Sequence, residues 1–125
     1  MEIAGLVSDL KELDLLIVED GQDIRDIMSS TFSKLFKSTR TAVDGLDGIE
    51  KFKESKPNII ISDIRMPNMS GNEMIDEIKE LDPNIPIIVV SGHGRMIKKT
   101  NKADLILEKP IKFDKLVEAI HKYTR

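Results

Sequence analysis

Ile59-Ile60-Ile61-Ser62-Asp63 is three branched aliphatic residues in a row, then a hydroxyl, then a carboxylate. Apolar and polar residues do not alternate, so this is no strand with one wet face. A short continuous apolar run is how a strand of a parallel sheet reads when both of its faces are covered. Three further runs share the form: Leu15-Leu16-Ile17-Val18, Ile87-Ile88-Val89-Val90 and Leu105-Ile106-Leu107. A fifth, more polar segment at 38–43 suits an edge strand.

Between the runs, apolar residues recur at three- and four-residue spacing, the signature of amphipathic helices. Ile24, Ile27, Met28, Phe32, Leu35 and Phe36 form one stripe; Leu46, Ile49 and Phe52 a second; Met74, Ile75, Ile78 and Leu81 a third. Phe113, Leu116, Val117, Ile120 and Tyr123 form the last. Ser70-Gly71-Asn72-Glu73 fits a capping box ahead of the third. Pro57, Pro83 and Pro86 punctuate the entries to strands three and four. Strand–helix alternation predicts an α/β fold, a parallel sheet with helices on both faces. Residues 93–102 leave little room for a crossover helix before the fifth strand, since such connections usually take a dozen residues or so. Ile3, Leu6, Val7 and Leu10 predict a short helix in an N-terminal extension, residues 1–12, ahead of a single domain over 13–125.

Composition narrows the function. The 125 residues carry 22 acidic and 19 basic side chains, a net charge of −3, with 40% hydrophobic and 33% charged residues. That describes an ordinary soluble globule of one domain. The charge balance argues against direct nucleic-acid binding. Cysteine is absent, which excludes disulfides, thiol catalysis and thiolate metal sites. The N-terminus lacks a secretory pattern, and no aliphatic run approaches the roughly 20 residues that span a bilayer. A cytoplasmic location without membrane contact is the expectation.

The ends of the buried runs carry the chemistry. The first ends in Glu19-Asp20, the third in Ser62-Asp63, the fourth in Ser91-Gly92 and the fifth in Glu108-Lys109-Pro110. Open α/β sheets bind ligands outside the carboxyl ends of their strands. Each residue alone has an ordinary explanation: Asp20 or Asp23 could cap the next helix, and Ser91 or Lys109-Pro110 could mark turns. Together they place acids, a hydroxyl and a lysine at one edge. Two carboxylates about 4 Å apart repel by roughly 4 kcal/mol at an effective dielectric of 20. Such a cluster calls for a cation, and an all-oxygen donor set suits Mg²⁺ rather than Zn²⁺. A carboxylate is also a competent phosphoryl nucleophile.

These residues resemble the receiver domains of bacterial two-component response regulators, the chemotaxis regulators among them. Leu16-Ile17-Val18-Glu19-Asp20 is similar to that family's first strand and acidic pair. Ile60-Ile61-Ser62-Asp63-Ile64-Arg65-Met66-Pro67-Asn68-Met69-Ser70-Gly71 is similar to its phospho-acceptor strand and proline–glycine loop. Val89-Val90-Ser91-Gly92-His93 looks like the switch-hydroxyl strand, and Lys109-Pro110-Ile111 the lysine–proline end of the fifth. The resemblance covers about residues 13–123.

It implies a doubly wound (βα)5 domain, flavodoxin-like, with strand order 2-1-3-4-5 and a shortened fourth crossover helix. It implies Asp63 as phospho-acceptor, with Mg²⁺ held by Asp20, Asp63 and the Arg65 backbone carbonyl, and by Glu19 through water. Lys109 would pair with the phosphoryl oxygens, and Ser91 would turn inward to hydrogen-bond them. A cis peptide joins Lys109 and Pro110 in that pattern. The implied donor is a sensor histidine kinase or a histidine phosphotransfer protein, and the implied target an effector domain or downstream protein. The chain would be a signalling switch rather than an enzyme, despite slow self-phosphorylation and self-dephosphorylation, and a monomer or a weak phosphorylation-dependent dimer.

Some features depart from the pattern or stand outside it. Glu19 replaces the more usual aspartate. Ile106 stands where the family's aromatic switch residue stands, which favours an alternative: a pseudo-receiver that binds partners without phospho-switching. Arg65 and His93 are candidate modulators beside the acceptor. His121, on a polar helix face, is expected to be solvent-exposed. A flavodoxin-like flavin site is disfavoured because Glu19 and Asp20 would repel the flavin phosphate. A phosphatase with an aspartyl nucleophile would place Asp-x-Asp after the first strand, and that pattern is not present.

Overall fold

Isoleucine, leucine and valine side chains that stand on both faces of a strand need cover on both sides, and the fold supplies it. The computed structural model describes residues 3–63, 69, 71–91, 102–108 and 112–124. In chain order its elements are α1 (Ile3–Leu10), β1 (Asp14–Val18), α2 (Gln22–Phe32), β2 (Ser38–Ala42), α3 (Gly45–Glu54), β3 (Ile59–Ser62), α4 (Gly71–Leu81), β4 (Ile87–Ser91), β5 (Leu105–Glu108) and α5 (Phe113–Thr124). The five strands form one sheet in the order β2-β1-β3-β4-β5, and every pairing is parallel. This is the doubly wound α/β architecture expected from the sequence. The crossover between β4 and β5, with its predicted short helix, lies outside the described residues, as does Ser70 of the predicted capping box.

Alternate residues of β1, β3 and β4 enter opposite cores. Leu15, Ile17, Ile59, Ile61, Ile88 and Val90 pack against α1, α2 and α5 through Leu6, Leu10, Phe32, Val117 and Ile120, and against Phe36 in the turn after α2. Leu16, Val18, Ile60, Ile87 and Val89 pack against α3 and α4 through Ile49, Phe52, Met74, Ile75 and Ile78. The polar strand β2 is an edge, as its composition suggested. Strand β5 is held at its start by Asp104, whose carboxylate accepts the Ile87 N–H at 2.8 Å and pairs with Lys79 at 2.9 Å. No helix of the described residues is long and apolar enough to cross a membrane.

The helical stripes are wider than the cores they serve. Ile24, Ile27, Leu46, Leu81 and Phe113 all lie on these stripes and are exposed. Ile24, Ile27 and Phe113 line an open apolar cleft between α2 and α5, floored by Phe32, Val90 and Leu116. His121 departs from expectation. Its side chain is largely covered, and its Nδ1 lies 3.2 Å from the Asp9 carboxylate. The reason is α1, which packs along α5 and covers what periodicity alone marks as a polar face.

Candidate functional site

Strand register assembles the site. Val18 pairs with Ala42 on one side and with Ser62 on the other, so β1 and β3 end level. The residues that follow, Glu19-Asp20 and Asp63, therefore emerge side by side. They do so where the strand order reverses, since β1 lies between β2 and β3. That reversal point is where open α/β sheets bind ligands. Backbone hydrogen bonds extend the ladder one residue further: Glu19 N–H donates to the Ala42 carbonyl at 3.0 Å, and Asp63 N–H to the Val18 carbonyl at 3.1 Å. Both acids thus hang from fixed backbone.

Glu19 is buried, Asp63 half-buried and Asp20 exposed. One carboxylate oxygen of each lies within 4.8 Å of those of the other two. The Glu19 Oε2 accepts the Gly21 N–H at 3.0 Å, which aims that carboxylate. Helix α2 starts with Gly21 as its N-cap and without a side-chain cap, so the ordinary explanation of Asp20 as a capping residue falls away. At this separation Glu19 and Asp63, the more buried pair, repel by about 3.5 kcal/mol at an effective dielectric of 20, and the exposed Asp20 adds less with each of them. A small divalent cation relieves that repulsion. Among the described residues the donor set is three carboxylate oxygens without nitrogen or sulfur, which fits Mg²⁺ with its preference for oxygen ligands and retained waters.

Arg25 is the participant that sequence reasoning missed. Its Nη1 donates to the carbonyls of Glu19 at 3.0 Å and Asp20 at 3.3 Å. It fixes the backbone of the acidic pair from the first turns of α2 and sets a positive charge behind it. An arginine shortly after an acidic pair was the available signal, but its acceptors are main-chain carbonyls, which any sequence has.

The remaining expected residues sit as follows. Ser91 ends β4 and pairs in register with Glu108, the last residue of β5; its side chain lies outside the described residues. Lys109 and Pro110 with their expected cis bond, Arg65 and His93 also lie outside them. Ile106 lies on β5 with 37% of its surface exposed.

A sequence profile of the response regulator receiver domain matches residues 15–121. The chemotaxis protein CheY of Thermotoga maritima is 37% identical over 117 residues, spanning 89% of this chain and 97% of that protein. Sporulation initiation phosphotransferase F of Bacillus subtilis is 28% identical, over 87% of this chain and 91% of that protein. Among solved structures, the response regulator protein TrrA of Thermotoga maritima, in complex with Mg²⁺ and BeF, superposes with a TM-score of 0.80 at 26% identity. That match covers 88% of this chain and 97% of TrrA.

Proposed function

Because the chain belongs to the response regulator receiver family, we propose that it accepts a phosphoryl group on the Asp63 carboxylate and uses the phosphorylated state to change a protein contact. The donor is the phosphohistidine of a sensor histidine kinase or histidine phosphotransfer protein. The target is an effector domain or a downstream protein, and the setting is the cytoplasm. The observation that carries this reading is the meeting of Glu19, Asp20 and Asp63 within 4.8 Å at the strand-order reversal.

The chemistry follows from those groups. An Asp63 carboxylate oxygen attacks phosphorus in line; the P–N bond to the donor imidazole breaks, and its electron pair stays on that nitrogen. Asp20, Asp63 and the Arg65 carbonyl would hold Mg²⁺, with Glu19 joined through water. Mg²⁺, when bound, neutralises charge on the phosphoryl oxygens. Lys109 pairs with one of those oxygens, and the Ser91 hydroxyl donates to another. Arg25 keeps the backbone of the acidic pair fixed throughout. Ile106 is β-branched, restricted at its first torsion, and lacks a hydroxyl that could change partners. The response is therefore a population shift near Ser91 and His93 rather than a large rearrangement. The same isoleucine supports the alternative of a pseudo-receiver that binds partners without phospho-switching. Incubation with a small phosphodonor separates the two. A receiver takes up phosphoryl groups in the presence of Mg²⁺ and not after its chelation; a pseudo-receiver takes up none in either condition.

A further inference from the structure

Two glycines of α3, Gly45 and Gly48, face the α4 side of the molecule, and both are buried. Both lie in ordinary helix, so what they provide is room rather than an unusual backbone angle. A Cβ on Gly48 would meet the Met74 sulfur at 2.6 Å and a Val18 methyl at 3.2 Å. The sulfur is the far end of a flexible side chain and can swing away. A Cβ on Gly45 would instead lie 2.6 Å from the backbone carbonyl oxygen of Met69, 2.9 Å from its Cγ and 3.0 Å from its Cβ. No rotamer change moves a carbonyl, so the backbone at Met69 must shift.

Met69 closes the connection between β3 and α4, six residues after Asp63 and two before α4 begins at Gly71. The surface it rests on cannot yield easily. Asp44 caps α3 by accepting the Asp47 N–H at 2.8 Å, and Asp47 accepts the Val43 N–H in return at 3.0 Å. Ile49 and Phe52 anchor the rest of the helix in the core. Bulk added at position 45 is therefore relieved on the Met69 side.

We propose that Gly45 is a positioning residue for phosphoryl acceptance: its missing side chain sets how closely the Met69 backbone seats on α3, and thereby the placement of the Asp63 carboxylate beside Glu19 and Asp20. The proposal rests on the reading of Asp63 as the acceptor. It assigns Gly45 no contact with phosphate or metal. A misplacement on the order of 1 Å by a change remote from the chemistry can cost about a hundredfold in rate.

The test compares Gly45→Ala, Gly48→Ala and Met69→Ala with wild type, using acetyl phosphate as donor over a range of donor and Mg²⁺ concentrations. Thermal unfolding is followed alongside, and labelling is read well below each melting point. Gly45→Ala lowers the maximal rate at saturating donor by roughly ten- to a hundredfold, whereas Gly48→Ala labels close to the wild-type rate. Met69→Ala frees the same backbone from the other side without touching α3 and also slows labelling. It keeps the test decisive should Gly45→Ala fail to fold. Normal maximal rates in folded Gly45→Ala, or in Met69→Ala where Gly45→Ala does not fold, overturn the proposal. So does Gly48→Ala slowing as much as Gly45→Ala, because general α3–α4 packing would then be responsible. A wild-type protein that takes no label contradicts the acceptor reading itself, which distinguishes that failure from these.

Discussion

Replacing Asp20 with Asn tests the electrostatics of the site without changing side-chain volume. Its carboxylate oxygen lies within 4.8 Å of those of Glu19 and Asp63. At that separation two unit charges repel by about 3.5 kcal/mol at an effective dielectric of 20 and by about 0.9 kcal/mol in bulk water. Asp20 is exposed, so the lower figure governs each of its two pairs. Neutralising it relieves about 1–2 kcal/mol. No cap is lost, since α2 has no side-chain cap, and the Arg25 contact is to the Asp20 carbonyl, which Asn retains. For a chain of 125 residues, unfolding entropies of about 2.1 cal/mol/K per residue convert that into a melting point about 4–8 °C higher. The assay is thermal unfolding by circular dichroism in EDTA and then in Mg²⁺. In EDTA the variant melts above wild type, and the gap narrows in 1 M salt, where the Debye length falls to about 3 Å. In Mg²⁺ the order closes or reverses, because binding to the folded state stabilises wild type more. An Asn variant that melts at or below wild type in EDTA, or equal gains from Mg²⁺ in both proteins, refutes the reasoning.

Three further outcomes are expected. Ile61→Ala, at a fully buried position of the central strand β3, costs about 2–5 kcal/mol, seen as a lower urea midpoint at unchanged slope; an unchanged midpoint contradicts the packing described. Asp82 is held below its ordinary carboxylate value chiefly by its hydrogen bond with Lys56, then by the Asn84 N–H. Its contribution is present above the ordinary Asp value of about 3.9 and is lost as pH falls through the depressed one, so Asp82→Asn flattens the acid limb of a stability–pH profile, and an unaltered limb rules the pair out as its source. Lys109→Ala slows labelling of Asp63 while the melting point stays near wild type; a variant that unfolds earlier yet labels normally below its melting point makes Lys109 a structural residue.

Much of the fold was legible because strands buried on both faces leave no polar interruptions. Ile59-Ile60-Ile61 and Ile87-Ile88-Val89-Val90 cannot be read as half-wet strands or as surface loops. The acids were legible for a related reason: where an apolar run stops, the strand leaves the core, and the first polar groups mark the sheet edge. What stayed hidden depends on partners distant in sequence. Periodicity cannot separate a core position from one lining a cleft, so the stripes that hold Ile27 and Phe113 gave no sign that these two are exposed. His121 looked exposed because its cover, α1, comes from the other end of the chain. Arg25 reaches backbone oxygens, and Gly45 meets a backbone carbonyl 24 residues away. Main-chain groups are common to all residues, so no side-chain pattern announces such contacts.

The most direct test of the central claim is chemical mapping of the acylphosphate. The protein is incubated with a small phosphodonor and Mg²⁺, then treated with borohydride, which reduces an aspartyl phosphate to homoserine, and its peptides are sequenced by mass spectrometry. The account predicts homoserine at position 63 and at no other aspartate, absent when the donor or Mg²⁺ is withheld. Homoserine at another aspartate with position 63 unmodified, or phosphoryl uptake that persists in Asp63→Asn, contradicts it.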